Sequence, residues 1–197
     1  MNKILNSAVS DQLTEAAREV LEHQSGTSYA TIVPTTPVES AKPLLEKADP
    51  VVAAAQDSDA AASCAAGLWL WQDFLDESHT ISQNIDTAEG SFWHGIMHRR
   101  EGDFSNSKYW YRRVGEHPIY ATLSAEVQGI TRDEPADKRI FALTRDGGQS
   151  WDPYAFVDLC ESAHASPDDD ALRKLAVSIQ RIEWRLLFDH CVRQARG

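Results

Sequence analysis

Two histidines spaced four residues apart, His94 and His98, have the types and spacing to bind a metal ion. On an α-helix, side chains at positions i and i+4 lie one above the other on the same face. Two imidazoles on one face supply two ligands to a divalent transition metal when another helix brings a third histidine or a carboxylate. The spacing therefore predicts two ligands of a metal site.

Candidates for the third ligand lie on two other predicted helices. The C-terminal helix offers Glu183 and His190, both predicted to point inwards, and a tryptophan-rich helix offers Glu77 and His79. No His-Glu-x-x-His motif or Glu-x-x-His pair is present to select among them. With Zn2+ or Fe2+ and an open position for water, such a site would support a metal-dependent hydrolase. The alternative is that these histidines are structural and hydrogen-bonded to carboxylates, Tyr or Trp.

A basic and aromatic surface is the second candidate site. It follows His98 in the chain and consists of Lys108, Tyr109, Trp110, Arg112 and Arg113. Together with Trp93 on the preceding helix, these side chains would bind an anionic small molecule or a protein partner. Arg99 and Arg100 belong to the same basic cluster. The competing interpretation is that the basic groups pair with the chain's own carboxylates and that the tryptophans pack in the core.

Both candidate sites depend on one predicted helical hairpin at residues 91–118. The apolar arc of its first helix, opposite the two histidines, consists of Phe92, Trp93, Ile96 and Met97. Gly102 and Asp103 end this helix, and Asp103 is the predicted N-cap of the second. The packing face of the second helix consists of Phe104, Ser107, Tyr111 and Val114.

The hairpin resembles one tetratricopeptide unit. Gly95 takes the small-residue position of the first helix, residues 102–104 form the turn, and Pro118 closes the unit. His98 replaces an aromatic residue of that repeat, and the sequence holds no second copy. Because a solenoid needs about three units, the resemblance implies a local helix hairpin and not a peptide-binding array. Residues 92–103 also resemble a stretch of uncharacterised microbial proteins, and that resemblance implies no activity.

A second local resemblance lies at residues 144–151. The residues that match the Asp-box hairpin of sialidase-type propellers are Thr144, Asp146, Gly148, Ser150 and Trp151. A propeller needs several four-stranded blades, and the sequence has neither the copies nor the alternating strands. We therefore expect a local turn with a packed tryptophan, with at most a short β-ribbon near 140–151, and no glycosidase activity.

Hydrophobic periodicity predicts an all-α fold, a single-domain helical bundle of about seven helices over residues 1–197. The segments before the hairpin are a helix at 11–24, an extended Pro- and Thr-rich connector at 27–43, a short helix at 40–47 and the tryptophan-rich helix at 67–79. Those after it are a helix at 121–128 stopped by Gly129, a helix at 153–163 capped by Asp152, and a last helix opened by Ser166 and Pro167. The predicted inward stripe of the last helix is Leu172, Leu175, Ile179, Ile182 and Leu186.

Composition limits the partners. The formal net charge of -11 and a pI near 5.0 argue against binding to nucleic acid or to an anionic membrane surface. A membrane span needs about 20 consecutive apolar residues, and no stretch of the sequence approaches that length. The first residues lack the apolar run of a signal peptide. Cys64, Cys160 and Cys191 have no paired spacing, which indicates buried free thiols in a reducing cytoplasm. We expect a cytoplasmic binding protein that uses the basic surface, with the metal-dependent enzyme as the alternative and the oligomeric state open.

Overall fold

A computed structural model describes residues 5–23, 29–34, 36–131, 142–145, 150–167 and 170–197. Its helices are α1 Ser7–Ser10, α2 Glu15–Glu22, α3 Lys42–Leu45, α4 Ser58–Trp71, α5 Leu75–Ser82, α6 Ala88–Glu101, α7 Phe104–Val114, α8 Tyr120–Thr131, α9 Pro153–His164 and α10 Ala171–Arg196, with a 3-10 turn at Glu39–Ala41. Strands β1 Thr144–Arg145 and β2 Ser150–Trp151 pair antiparallel, with Thr144 opposite Trp151. The predicted all-α fold is confirmed, and the short ribbon is present. The Asp-box positions 146 and 148 lie outside the described residues.

The central element is α6. Every residue at positions 90–100 is buried, not only the predicted apolar arc. Helices α4, α5 and α7 pack against it, and Trp184 of α10 contacts Trp93 at a ring-centroid distance of 6.1 Å. The charged and polar side chains of this helix must therefore find partners inside the protein, because an unpaired buried charge is costly.

The predicted hairpin of α6 and α7 is confirmed. Gly102 ends α6 with a φ of 88°, a left-handed conformation that glycine adopts without a steric penalty. The side chain of Asp103 then caps α7 by accepting a hydrogen bond from the Asn106 amide at 3.0 Å. Ser107, the first buried residue of the predicted α7 face, donates to the Gly95 carbonyl oxygen at 2.7 Å. The resemblance of this hairpin to a tetratricopeptide unit stays a prediction.

The tryptophan-rich segment is two helices, so the prediction of one helix at 67–79 is wrong. Helix α4 ends at Trp71, Asp73 adopts a positive φ of 66°, and α5 begins at Leu75. The Asp73 carboxylate pairs with the buried guanidinium of Arg100, which holds the break in place. Asp76 and Glu77 consequently lie in the first turn of α5, where acidic side chains stabilise the positive end of the helix dipole.

Three predicted boundaries differ from the structure. Helix α8 continues through Gly129 to Thr131, because a single exposed glycine costs a helix only about 1 kcal/mol. Helix α10 begins after Asp170, whose side chain accepts from the Leu172 and Arg173 amides, rather than at Ser166. Helix α2 begins after Thr14, not at residue 11, since Leu13 forms a bridge with Val52.

The buried face of α10 differs from the predicted stripe. Leu172 and Ile179 are buried as expected, whereas Leu175, Ile182 and Leu186 are only partly buried. The fully buried positions near the middle of the helix are Ala176, Gln180, Glu183, Trp184, Leu187 and Phe188. The shift occurs because the large Trp184 side chain turns towards α4 and donates to the Gly67 carbonyl oxygen at 2.8 Å.

The described part of the predicted connector, residues 29–34 and 36–43, follows the body of the protein. Tyr29 and Ile32 are fully buried. The Tyr29 ring stacks on Trp71 at 5.6 Å between centroids, and the Arg100 guanidinium lies 3.7 Å from its centroid. Residues 27, 28 and 35 lie outside the described residues. None of the described helices is both long and apolar enough to cross a membrane.

The close approach of α4 to α6 and α10 at Gly67 leads to a stability prediction. An alanine Cβ at position 67 would lie 2.7 Å from Cζ2 of Trp93 and 3.2 Å from Cδ2 of Phe188, both fully buried. Gly67→Ala should therefore lower the free energy of unfolding by about 1–3 kcal/mol. In Gly129→Ala, where no described residue lies within 4 Å of the new Cβ, the same methyl should raise the free energy of unfolding by about 0.5–1 kcal/mol. Urea denaturation measures both, and equal effects would contradict the packing argument.

Candidate functional site

Three histidines converge between α5 and α6. His79 of α5 joins His94 and His98 of α6, with one ring nitrogen of each within 4.8 Å of the others. The ring centroids of His79 and His94 are 4.6 Å apart, those of His94 and His98 4.7 Å, and those of His79 and His98 5.5 Å. The structure thus supplies a third histidine to the predicted pair, and it is His79 of the candidates considered.

The break between helices α4 and α5 brings His79 into this cluster. Helical spacing alone places His94 and His98 on one face of α6. Because α4 stops at Trp71 and the chain turns at Asp73, α5 runs as a separate helix packed on α6. His79 therefore reaches α6 from its own helix. It is partly buried, whereas His94 and His98 are only 2% and 6% exposed, so His79 is the most accessible of the three.

Two side chains orient the histidines of α6. Ser82 Oγ lies 3.2 Å from Nδ1 of His94, and Glu101 Oε1 lies 2.5 Å from Nδ1 of His98. Metal-binding histidines commonly donate a hydrogen bond from their second ring nitrogen to a hydroxyl, carbonyl or carboxylate oxygen. This bond fixes the orientation of the ring and its tautomer. A proton on each Nδ1 places the lone pair of each ring on Nε2, the atom that would bind a ligand.

Asn106 of α7 also contacts this cluster. Its Nδ2 lies 3.1 Å from Nε2 and 3.3 Å from Nδ1 of His98, so a ligand at Nε2 would displace an amide contact. His98, Glu101 and Asp103 form an overlapping set of potential metal ligands within 4.8 Å of one another. However, Asp103 is already the cap of α7 and Glu101 is held at Nδ1 of His98. The histidine set is therefore the better metal site.

Trp110 of α7 covers one side of the cluster. Its ring centroid lies 3.9 Å from that of His94, and the Arg113 guanidinium lies 5.2 Å from the Trp110 ring. Trp110 thus forms one wall of the histidine cluster. Trp93 does not, because it points into the core towards Trp184.

Burial and the neighbouring rings keep His94 neutral. Desolvation, followed by electrostatic repulsion from His98 and His79, lowers the pKa of His94 from 6.5 to about 3. A neutral imidazole is the form that binds a metal ion. The site therefore needs no proton release from His94 at neutral pH before it can accept a cation.

Glu183 does not join His94 and His98, which corrects its assignment as a metal ligand. It is fully buried, as predicted, but its carboxylate forms an ion pair with the fully buried Arg99. Tyr111 donates to Glu183 Oε1 at 3.1 Å and accepts from Arg99 at 3.0 Å, while Gln180 accepts from Nε of Arg99 at 3.2 Å. Arg99 is 100° around α6 from His98, so its partners lie on a different face.

His190 and Glu77 also lie elsewhere. His190 Nε2 is 3.2 Å from Glu89 Oε1 near the N-terminus of α6, where His117 is its ring neighbour at 5.0 Å. Glu77 forms an ion pair with Lys42 at 3.5 Å. The assignment of His190 to the same site as His94 is thus corrected, because His190 meets α6 at Glu89, five residues before His94 and on a different face of the helix.

The basic cluster of the sequence separates into buried and exposed parts. Arg99 and Arg100 are fully buried and pair with Glu183 and Asp73, so they do not belong to a surface. The surface part consists of the partly exposed Lys108 and the exposed Tyr109, Arg112 and Arg113, with Tyr109 49% exposed. Lys108 pairs with Asp158, and Arg113 pairs with Asp86 at 3.2 Å. The competing interpretation, pairing with the protein's own carboxylates, therefore accounts for four of the five basic residues. Arg112 is the fifth.

Sequence reasoning missed the residues around the histidines. Ser82, Glu101 and Asn106 were not singled out, although Glu101 follows His98 by three residues and so lies on the same helical face. Ser82 follows His79 by three residues on α5 in the same way. The i+3 relation to a histidine is the signal that could have found Ser82 and Glu101, whereas Asn106 lies on α7 and has no such relation.

Comparisons with protein-family models, with curated proteins and with solved structures gave no match to this chain.

Proposed function

We propose that this protein binds a divalent transition-metal ion, Zn2+ in the first place, through His79, His94 and His98. The observation that carries the proposal is the convergence of three imidazole nitrogens from two helices within 4.8 Å. Ligand nitrogens around a tetrahedral zinc ion lie about 3.3 Å apart, so small side-chain rotations would close the set around an ion.

The surroundings of the cluster support an ion rather than three structural histidines. Three imidazoles from two helices bring ring nitrogens to one point at low exposure, and an ion bound between them would accept their lone pairs in place of water. Ser82 and Glu101 hold the Nδ1 atoms, which is the outer arrangement usual around metal-binding histidines. Three imidazoles without a carboxylate favour Zn2+ over Fe2+, whose non-haem sites combine two histidines with one carboxylate.

The fourth position of such a zinc ion would be open to water from the side of His79. Three protein nitrogens plus one water is the arrangement of catalytic zinc sites, in which the pKa of the water falls to about 7. A metal-dependent hydrolase is therefore the enzymatic form of this proposal. The three buried thiols Cys64, Cys160 and Cys191 favour a reducing compartment such as the cytoplasm.

Engagement of an anionic ligand or protein partner by the exposed basic surface is the second candidate function. Its support is the 49% exposed ring of Tyr109 beside the exposed Arg112 on α7. The variant Arg112→Glu tests this function. It should retain fewer partners from a cell extract than the unmodified protein, and unchanged retention would reject this surface.

Metal analysis of untagged protein tests the metal proposal. After incubation with Zn2+ and gel filtration, each of the variants His79→Ala, His94→Ala and His98→Ala should retain one ion fewer per chain than the unmodified protein. His164→Ala, which removes an exposed imidazole on α9, should retain as many. Circular dichroism verifies that the variants are folded, and His79, the least buried of the three, is the safest substitution. Equal metal content in His79→Ala and unmodified protein would contradict the proposal.

A further inference from the structure

The geometry points to a second divalent-metal site, built from Glu89 of α6, His117 of the α7–α8 connection and His190 of α10. One ligand atom from each residue lies within 4.8 Å of the other two. Glu89 Oε1 is 3.2 Å from Nε2 of His190 and 3.6 Å from Nε2 of His117. Three segments distant in sequence thus present two imidazoles and one carboxylate to the same point.

The Nε2 atom of His117 is the strongest sign of a missing ligand. The side chain is 0% exposed, and Nε2 has no hydrogen-bond partner among the described residues, since 3.6 Å to Glu89 exceeds hydrogen-bonding distance. A buried polar nitrogen without a partner costs about 1–3 kcal/mol. An ion between His117 and Glu89 would satisfy it.

The other ring nitrogen of His117 does not prevent this. The Ile119 amide donates to Nδ1 at 3.4 Å, a long and weak contact. Binding of a metal at Nε2 moves the ring proton to Nδ1 and replaces this contact with a metal–nitrogen bond. The exchange removes a weak interaction and forms a strong one.

Glu89 supplies the negative charge of the site. The nearby imidazole of His117 and then that of His190 hold the pKa of Glu89 well below its usual range, so the carboxylate is ionised at neutral pH. The side chains of Glu89 and His190 are 14% and 18% exposed, which leaves an entry from solvent. Two imidazoles and one carboxylate suit Zn2+, as in zinc hydrolases, and Fe2+, as in non-haem oxygenases.

This site is independent of the three-histidine cluster. Glu89 precedes His94 by five residues, which is about 7.5 Å along the axis of α6 and about 140° around it. Metal ions that act together lie about 3.5–4 Å apart. Two ions on these different faces would not share a bridging ligand, so each site should fill without the other.

Counting ions in matched variants tests the inference. Metal-stripped, untagged protein is incubated with Zn2+, passed through gel filtration and analysed for retained metal. We expect two ions in the unmodified chain, one in His79→Ala, one in His190→Ala and none in the double variant, with His164→Ala retaining two. Glu89→Gln keeps a hydrogen-bonding side chain of the same size but removes the charge, so it should weaken zinc binding at this site at least about tenfold.

The outcomes separate the two sites. If His190→Ala and Glu89→Gln retain as much zinc as the unmodified chain, the second site is wrong, and Glu89 serves only as a polar partner of His190. If His79→Ala retains the full content while His190→Ala loses one ion, the three-histidine proposal is wrong and the second site stands. If the double variant retains as much zinc as the unmodified chain, the ions bind at neither site.

Discussion

Replacing Glu183 with alanine should lower the free energy of unfolding by about 3–5 kcal/mol, the largest stability loss that we expect from a single substitution outside the metal sites. Arg99 and Glu183 are both fully buried and form an ion pair. Removal of the carboxylate leaves a guanidinium in the core, where the Tyr111 and Gln180 oxygens accept hydrogen bonds from it but carry no full charge. Urea denaturation followed by circular dichroism at pH 7 measures the loss.

Two comparisons isolate the buried charge as the cause. The double variant Arg99→Met, Glu183→Leu removes both charges and should recover most of the stability, because apolar side chains replace a buried ion pair at little cost. Asp86→Ala removes the exposed partner of Arg113, with Asp86 97% exposed, and should cost less than about 1 kcal/mol. If Glu183→Ala costs no more than Asp86→Ala, the buried pair does not stabilise the fold as argued.

The hairpin that carries the candidate site could be predicted because its determinants are local. Gly102 is the residue type that ends a helix in the left-handed conformation, and Asp103 is a common N-cap. The i, i+4 spacing of His94 and His98 needs only helical geometry. Each feature depends on residues within one turn of one another, so the sequence alone contains it.

The third ligand depends on tertiary structure that the sequence does not encode locally. Asp73 adopts a positive φ without being glycine, and its ion pair with Arg100 spans 27 residues. Nothing near Asp73 marks the end of a helix, so residues 67–79 look continuous. A continuous helix would carry His79 away from α6, whereas the break allows α5 to pack on it.

Glu183 shows a different limit. Periodicity along α10 correctly predicts that its carboxylate is buried, but not which face of α6 it meets. His98 and Arg99 are adjacent in sequence and 100° apart on the helix, so they contact different neighbours. The same reason explains the misassigned surface arginines: α6 is buried on all sides, and the charges in its sequence resemble those of an exposed helix.

Saturation with zinc should stabilise the protein through the three-histidine site and should do so locally at α5. In the His190→Ala variant, where only this site is available, zinc at about 1,000 times its dissociation constant should raise the free energy of unfolding by about 4 kcal/mol. Because His79 is the only described residue of α5 in this ligand set, an ion would tie α5 to α6. Amide hydrogen exchange should therefore slow across Leu75–Ser82.

The His79→Ala, His190→Ala variant provides the matched control. It keeps His94 and His98 but lacks the link from α5, so zinc should change neither its unfolding free energy nor the exchange of α5. Helix α2 at Glu15–Glu22 contributes no residue to either set of ligands, and its exchange should slow only as far as global stability requires. Equal stabilisation of both variants would mean that zinc acts without His79, and it would contradict a site that joins the two helices.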